Sequence, residues 1–164
     1  MPSVFMADGD VTAAEQMIRD YCGWHVAPVI TETLVLDGTG THRLLLPSRC
    51  VVDVSEVAVN GEPLDPDDYE WSQGGILCRR LAVWPDRYRA VRVTLEHGFA
   101  SAPVLAEIAA AVEARAAMNP TGALASQRAG TQSVAFSAAA SAAGRGLLAS
   151  EQALLAPYKL TWGP

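Results

Sequence analysis

Residues 90–97 read A-V-R-V-T-L-E-H, and this stretch decides the fold class. Val91, Val93 and Leu95 occupy every second position, with polar residues between them. Successive side chains of a strand point to opposite faces of its sheet, so the alternation predicts a strand with one dry face and one solvated face. A strand of this kind is typical of an antiparallel sheet that packs on a core through one side only.

The same period of two extends over residues 24–99. The alternation at 34–36 and 42–46, on either side of the turn cluster at 37–40, predicts a hairpin. A one-residue phase shift near Ser55-Glu56 predicts a β-bulge, and Asn60-Gly61 is a preferred tight turn. A further strand is predicted within 76–83.

Helices are predicted on both sides of this β module. Thr12 and Glu15 have the spacing of a capping box, and the apolar residues that follow recur at helical spacing, so a helix is predicted over 12–22. A second helix is predicted to begin with Pro103 as its first residue and to end before residue 119.

The composition changes after residue 118, where alanine, serine and glycine dominate. The chain is therefore divided into a helix–β module–helix body at 1–118 and a flexible C-terminal docking tail at 119–164. The tail is predicted to carry a lone strand within 131–137 and a short amphipathic helix that follows residue 147. Its apolar side chains have too few partners within the tail, which favours docking on another chain.

These patterns together predict an α+β fold. Its parts are a short N-terminal helix, an antiparallel, sandwich-like β module, a second helix and an extended C-terminal tail with a strand and a short terminal helix. The residues predicted to bind a partner are Arg128, Val134, Phe136, Leu147, Leu148, Leu154, Leu155, Tyr158, Lys159 and Trp162.

The charge is uneven along the chain. The formal net charge is −6, of which residues 1–118 contribute −8 and residues 119–164 contribute +2. An acidic body argues against nucleic-acid binding, which needs clustered Lys and Arg. The low share of charged residues, 18%, indicates surface that contacts another protein.

The cysteines and the apolar runs indicate the cellular compartment of the protein. Cys22, Cys50 and Cys78 form no C-x-x-C pair and are odd in number, so three reduced, buried thiols are predicted in a protein made in the cytosol. No basic, apolar leader opens the chain and no run reaches the length of a membrane span, which predicts a soluble protein.

The sequence predicts no catalytic, cofactor-binding or metal-binding residue. Cys22 and His25 lie close in sequence, but nothing completes a triad, so a buried thiol and a loop imidazole are the favoured interpretation. The three histidines are scattered, and the acidic turn at 65–70 lacks the ligand pattern of a calcium loop. The glycines at 38 and 40 precede a strand rather than a helix, which indicates a turn rather than a phosphate site.

One cluster joins basic and aromatic residues: Arg79, Arg80, Trp84, Arg87 and Arg89. It could contact nucleic acid through stacking and phosphate pairing. Salt bridges to surrounding acids or to a neighbouring subunit are favoured because the chain is acidic.

The order of several short motifs resembles the head-to-tail adaptor proteins of tailed phages of actinobacteria. The motifs are YCGWH at 21–25, VAVNG at 57–61, GIL at 75–77, WP at 84–85, VRVTLEHGF at 91–99, GLLASE at 146–151 and LAPY at 155–158. The resemblance covers nearly the whole chain, and the order of the motifs is more specific than any one of them.

The resemblance implies a structural, non-enzymatic role at the virion neck. Such adaptors form a ring, commonly twelve-fold, that binds the portal protein on one side and a stopper or tail protein on the other, and DNA passes through the lumen without specific binding. It also implies that the C-terminal segment reaches towards the portal. Many relatives are almost all helical, so the β module between the helices departs from the family's simplest pattern.

A second interpretation belongs to another class, a monomeric ligand- or carbohydrate-binding β module. It depends on Trp71 and Trp84 as candidate exposed aromatics on the sheet. An enzyme that uses Cys22 and His25 is the third.

Overall fold

The structure is a computed structural model that describes residues 11–118, 126–129, 132–135 and 146–161. The helices are α1 (Ala13–Cys22), α2 (Pro103–Met118) and α3 (Ala149–Leu155), with short 3-10 helices at Pro66–Asp68 and Ala156–Tyr158. The strands are β1 (Ile30–Leu36), β2 (Arg43–Leu45), β3 (Val51–Val59), β4 (Glu62–Pro63), β5 (Tyr69–Trp71), β6 (Ile76–Arg79), β7 (Val91–His97), β8 (Ser126–Ala129) and β9 (Gln132–Ala135). This mixture confirms the predicted α+β class.

Helix α1 begins and ends where its sequence predicts. The Glu15 N–H donates to the Thr12 hydroxyl at 3.2 Å, and the Thr12 N–H donates to the Glu15 carboxylate at 3.1 Å, which completes the capping box. Gly23 ends the helix with φ +80°, in the left-handed region that glycine adopts readily. Ile18 and Cys22 point into the core.

Strand β7 is the centre of a four-stranded antiparallel sheet with the order β1-β7-β3-β4. Its alternation is confirmed, because Val91, Val93 and Leu95 are buried while Arg92 and Glu96 are exposed. The pairing of β3 with β7 shifts register between Val54 and Glu56, so the predicted bulge is also confirmed, and a second shift lies between 51 and 53.

The hairpin predicted from 34–36 to 42–46 is wrong. Leu36 of β1 pairs with Val91, whereas Arg43 of β2 pairs with Cys78 in a separate sheet with the order β2-β6-β5. The turn cluster at 37–40 is instead a crossing between the two sheets, where the Gly38 N–H donates to the Arg87 carbonyl at 2.9 Å. Alternation identifies a strand, but it does not identify the strand's partner.

The two sheets face each other across one apolar core, which makes the module sandwich-like. Both sheets supply side chains to this core: Leu44, Leu46, Tyr69 and Leu77 from one side, and Val51, Val54, Val57, Val91, Val93 and Leu95 from the other. The strand predicted within 76–83 ends at Arg79, because the chain then turns to bury Trp84 in the same core.

The helices form a second apolar core at one end of the sandwich. The core joins the three helices to the chain segment between α1 and β1: Ala14, Ile18, Cys22, Trp24, Val26, Ala27, Cys50, Leu105, Ile108, Ala109, Val112 and Leu155 are buried in it. Ile30, Val51 and His97 share one register position at this end. Leu36, Val59 and Val91 lie at the opposite end, which is therefore the distal end of the sandwich.

Beyond α2, the structure places β8 and β9 as an antiparallel pair in which Gln127 lies opposite Val134. The lone strand predicted within 131–137 is therefore one arm of a two-stranded hairpin. No helix in the described part of the chain has the length and apolar character needed to cross a bilayer.

Gly75→Ala tests the turn of residues 72–75, which joins β5 to β6. The Gly75 carbonyl in this turn accepts the Leu46 N–H at 2.7 Å, next to the pairing of β6 with β2. Gly75 has φ +88°, and an added Cβ would collide with the Ser48 carbonyl oxygen, so we expect a loss of more than about 2 kcal/mol in the free energy of unfolding. Gly74→Ala is the matched control, because its nearest neighbour would lie at 3.9 Å, and it should cost less than about 0.5 kcal/mol. Equal urea midpoints for the two variants would contradict this account.

Candidate partner-binding site

The C-terminal segment of residues 146–161 lies against the helical core of its own subunit. Leu155 is 0% exposed, and Leu147, Tyr158 and Leu160 pack partly buried around the same cluster. The prediction that these side chains become buried only on another chain is therefore wrong for this segment. An α-helix of only seven residues becomes stable when tertiary packing supports it, and the buried cluster of α1 and α2 side chains around Leu155 provides that packing.

An ion pair fixes the start of α3. The Arg115 guanidinium donates to both carboxylate oxygens of Glu151, at 2.6 and 2.8 Å, and to the Gly146 carbonyl at 3.2 Å. The Glu151 side chain is largely buried, and its hydrogen bonds from Arg115 lower its pKa below the usual value. It also accepts the Leu148 N–H at 2.8 Å, which satisfies a free donor at the helix start. We call this arrangement the Arg115 clamp.

Three further hydrogen-bonded contacts hold the end of the segment. The Trp24 indole N–H donates to the Tyr158 carbonyl at 2.7 Å, and the Leu160 N–H donates to the Cys22 carbonyl at 2.8 Å. The Arg49 guanidinium donates to the carbonyls of residues 157 and 159, both at 2.9 Å. These bonds satisfy backbone groups that would otherwise need water, so the segment is a built part of the body.

The residues predicted to bind a partner divide into three groups. Leu155 lies inside the core, with Leu147 and Tyr158 partly buried beside it. Leu148, Leu154 and Lys159 are exposed, and the Lys159 ammonium lies 5.1 Å from the centre of the Tyr21 ring. Arg128 belongs to β8 and Val134 to β9, while Phe136 and Trp162 lie outside the described residues.

Sequence reasoning missed the residues that hold the segment, namely Arg115, Glu151, Trp24 and Arg49. A signal for the clamp exists, since Arg115 is the basic residue in the last turn of α2 and Glu151 the acidic residue in the first turn of α3. Opposite charges at facing helix ends are favourable. Nothing in the spacing, however, indicated that the ends of these two helices meet.

The pair Cys22 and His25 is not arranged as a nucleophile and base. Cys22 is completely buried, and this burial raises the pKa of its thiol to about 11, so the thiol is protonated at neutral pH. The His25 Nε2 lies 2.6 Å from the Pro28 carbonyl, to which it donates. Among the described residues, no three His, Cys, Asp or Glu side chains are grouped closely enough to hold a metal ion.

The aromatic candidates for ligand binding are not exposed. Trp84 is 0% exposed and donates its indole N–H to the His42 carbonyl at 3.0 Å, while the Arg79 guanidinium lies over its ring. Trp71 is half-buried against the sandwich core. The expected exposed platform for a sugar or a base is therefore wrong for Trp84, and the ligand-binding interpretation loses its main support.

A buried histidine joins the sandwich to the helical end. The His97 Nε2 bonds the Glu32 carboxylate at 2.8 Å, and its ring lies 5.8 Å from the His25 ring and 6.1 Å from Trp24. The His97 Nδ1 is buried without a hydrogen-bond partner among the described residues. Burial lowers the pKa of His25, and the positive charge of the nearby Arg19 guanidinium lowers it further.

No protein-family model matches the sequence, and no curated protein matches it either.

Leu155→Ala tests whether the C-terminal segment is part of the body. Removing a fully buried leucine should lower the free energy of unfolding by about 3 kcal/mol. Leu154→Ala is the matched control, because Leu154 is the preceding residue but is 56% exposed. This variant should lower the free energy of unfolding by less than about 0.5 kcal/mol. If both variants unfold at the wild-type urea concentration, α3 does not pack on the core in solution.

Acidification should destabilise the protein through His25 and Glu32. Burial lowers the pKa of His25 below 6.5, and the bond from His97 lowers the pKa of Glu32 below 4.5. Both groups take up protons more readily when unfolded, so stability falls as the pH drops, first through the His25 range and then through the Glu32 range. The loss from His25 should be below about 1 kcal/mol, because its ring is only half-buried.

Urea unfolding at pH 7.5 and 5.5 measures the His25 contribution. His25→Gln should flatten the change in stability between these two pH values, whereas the exposed control His42→Gln should leave it as in the wild type. A slope that is unchanged in His25→Gln would remove His25 as its source.

Proposed function

We propose that this chain is a structural head-to-tail adaptor in the neck of a tailed bacteriophage. It forms a ring, twelve-fold by the resemblance, between the portal protein and a stopper or tail protein, and DNA passes through the lumen. The chain is made in the host cytoplasm and acts in the virion. The proposed work is mechanical: two binding surfaces on one rigid body, with no reacting group.

The observation that carries the proposal is how the chain leaves and rejoins the body. It leaves at Met118, the last residue of α2, and rejoins it at Gly146, whose carbonyl is bonded by Arg115 one turn before Met118. The described residues on either side of 119–145 therefore lie together at the Arg115 clamp, and we call residues 119–145 the excursion. The excursion carries the β8–β9 hairpin, and α3 completes the helical core from residues that lie after it.

The base of this excursion exposes large apolar side chains. Met118 is 79% exposed, and Leu148 and Leu154 are also exposed. Several exposed large apolar side chains are typical of a surface that another protein covers. The β8–β9 hairpin, which the excursion carries, can add a strand to a sheet of a partner. The predicted docking role is therefore proposed for the excursion and its base, in place of an open-ended tail.

Replacing residues 119–145 by a short Gly-Ser linker tests this role. A linker of roughly six residues reaches about 20 Å, enough to join two chain ends held by one clamp. The helical core and Leu155 should keep their packing, so the thermal midpoint should stay close to that of the full chain, while capture of the portal protein encoded in the same genome should be lost.

A matched variant separates binding from folding. Leu154→Asp places a charge on the exposed base and should weaken portal capture by at least about tenfold without changing stability. The same charge at Gln16, which is exposed on α1, is the control and should leave capture unchanged. Full portal capture by the linker variant would overturn the proposal.

A further inference from the structure

The loop of residues 80–90, between β6 and β7, presents large apolar side chains at the distal end of the sandwich. We call it the distal loop. Leu81 is 91% exposed and Tyr88 is 85% exposed, and Val83 is 47% exposed between them. Scattered apolar residues are normal on a surface, but two large ones displayed almost completely by one loop are typical of a contact surface.

The distal loop is held in place before any partner arrives. The buried Trp84 anchors its middle, and the backbone N–H of Trp84 donates to the Thr41 carbonyl at 2.7 Å. The Arg89 N–H donates to the Asp37 carboxylate at 2.7 Å, and the Gly38 N–H donates to the Arg87 carbonyl at 2.9 Å. A loop fixed in this way loses little conformational entropy on binding, so its exposed side chains are preorganised for contact.

The charge of this region is opposite to that of the remaining chain. Residues 80–90 hold three arginines and one aspartate, a net charge of +2, although the whole chain has −6, so the other residues together hold −8. Arg80 makes one long pair with Glu70, at 3.9 Å between two exposed side chains. Arg87 and Arg89 are exposed and have no ion pair within the described part of the chain.

A complementary surface lies on the outer side of the four-stranded sheet. Asp53 of β3 lies directly opposite Glu96 of β7, and Glu56 lies opposite Thr94. We call Asp53, Glu56 and Glu96 the acidic face; Arg92 points to the same side of β7, nearer the distal end. All three are exposed, and none forms a salt bridge with another described residue. Like charges directly opposite each other on a sheet are destabilising, so a cationic partner would relieve this repulsion.

The apolar residue beside the acidic face gives it a second complementary property. Val52, which precedes Asp53, is 47% exposed. An exposed valine next to a carboxylate suits a loop that offers arginines together with an exposed leucine and tyrosine. Tyr88 is free to stack on a base, but Leu81 and Val83 add nothing to a contact with phosphates, so protein is favoured over nucleic acid as the occupant.

We propose that the distal loop of one copy of this chain docks on the acidic face of a second copy. Glu96 lies five residues along β7 from Val91, about 17 Å, so the two surfaces occupy different places on one subunit. A contact between two different surfaces is heterologous, and repeated copies then build a closed ring or an open array. Closure into a ring rests on the proposed function, whereas the contact itself rests on these two surfaces.

Two charge-reversed variants of the full chain test the contact. Variant one carries Arg87→Glu and Arg89→Glu, which makes the distal loop acidic. Variant two carries Asp53→Arg and Glu96→Arg, which makes the acidic face basic. Arg43→Glu is the control, because Arg43 is exposed on β2, outside both surfaces. Sedimentation velocity over a range of concentrations, at low and at high salt, measures self-association of each.

Wild type and the Arg43→Glu control should self-associate at low salt and dissociate as salt rises, since exposed charges are screened. Each reversed variant alone should associate at least about tenfold more weakly, because its loop and its face then carry the same charge. An equal mixture of the two should associate again, since each loop then finds an opposite face on the other variant. Far-ultraviolet circular dichroism and the thermal midpoint check that both variants fold.

Monomers at every concentration for the wild type, or no association in the mixture of folded variants, would overturn the inference. Equal weakening by the Arg43→Glu control would overturn it too. Portal capture, measured in parallel, reports on the proposed function separately. Self-association with this charge pattern but without portal capture would reject only the adaptor role, and the reverse result would reject only the contact between copies.

Discussion

The bidentate pair between Arg115 and Glu151 is the constraint on which the interpretation of this molecule depends. It holds the last turn of α2 against the first turn of α3, and the same guanidinium also bonds the Gly146 carbonyl. Both groups are largely withdrawn from water, so each needs the other to offset the cost of burial. Together with the burial of Leu155, this contact makes a segment that the sequence presents as a free end part of the helical core.

The sequence predicted the elements that local rules determine. The capping box at Thr12 and the alternation around Val93 each leave a pattern within a few residues, and both features are present. The partner of β1 and the place of Trp84 depend on contacts between residues far apart in the chain, which no short pattern records. The same limit explains Leu155, because the motif L-A-P-Y that it begins is equally compatible with docking on another chain and with docking on its own subunit.

The subunit contains two separate apolar cores. The sandwich core is closed by its own two sheets, and the helical core is closed by three helices drawn from both ends of the described chain. His97 lies where they meet, with its ring beside Trp24 and its Nε2 on Glu32. A joint of this kind fixes the orientation of the distal end relative to the helical end.

Anchoring both ends of residues 119–145 at one point also shapes how this protein can vary among lineages. The entropy of closing a chain segment rises only with the logarithm of its length, so doubling the segment costs about 0.6 kcal/mol. Insertions or deletions between the two anchors can therefore change the length of this segment with little effect on the packed domain. Divergent relatives should preserve the arginine and the glutamate while the stretch between them drifts in size and composition to match a changing counterpart.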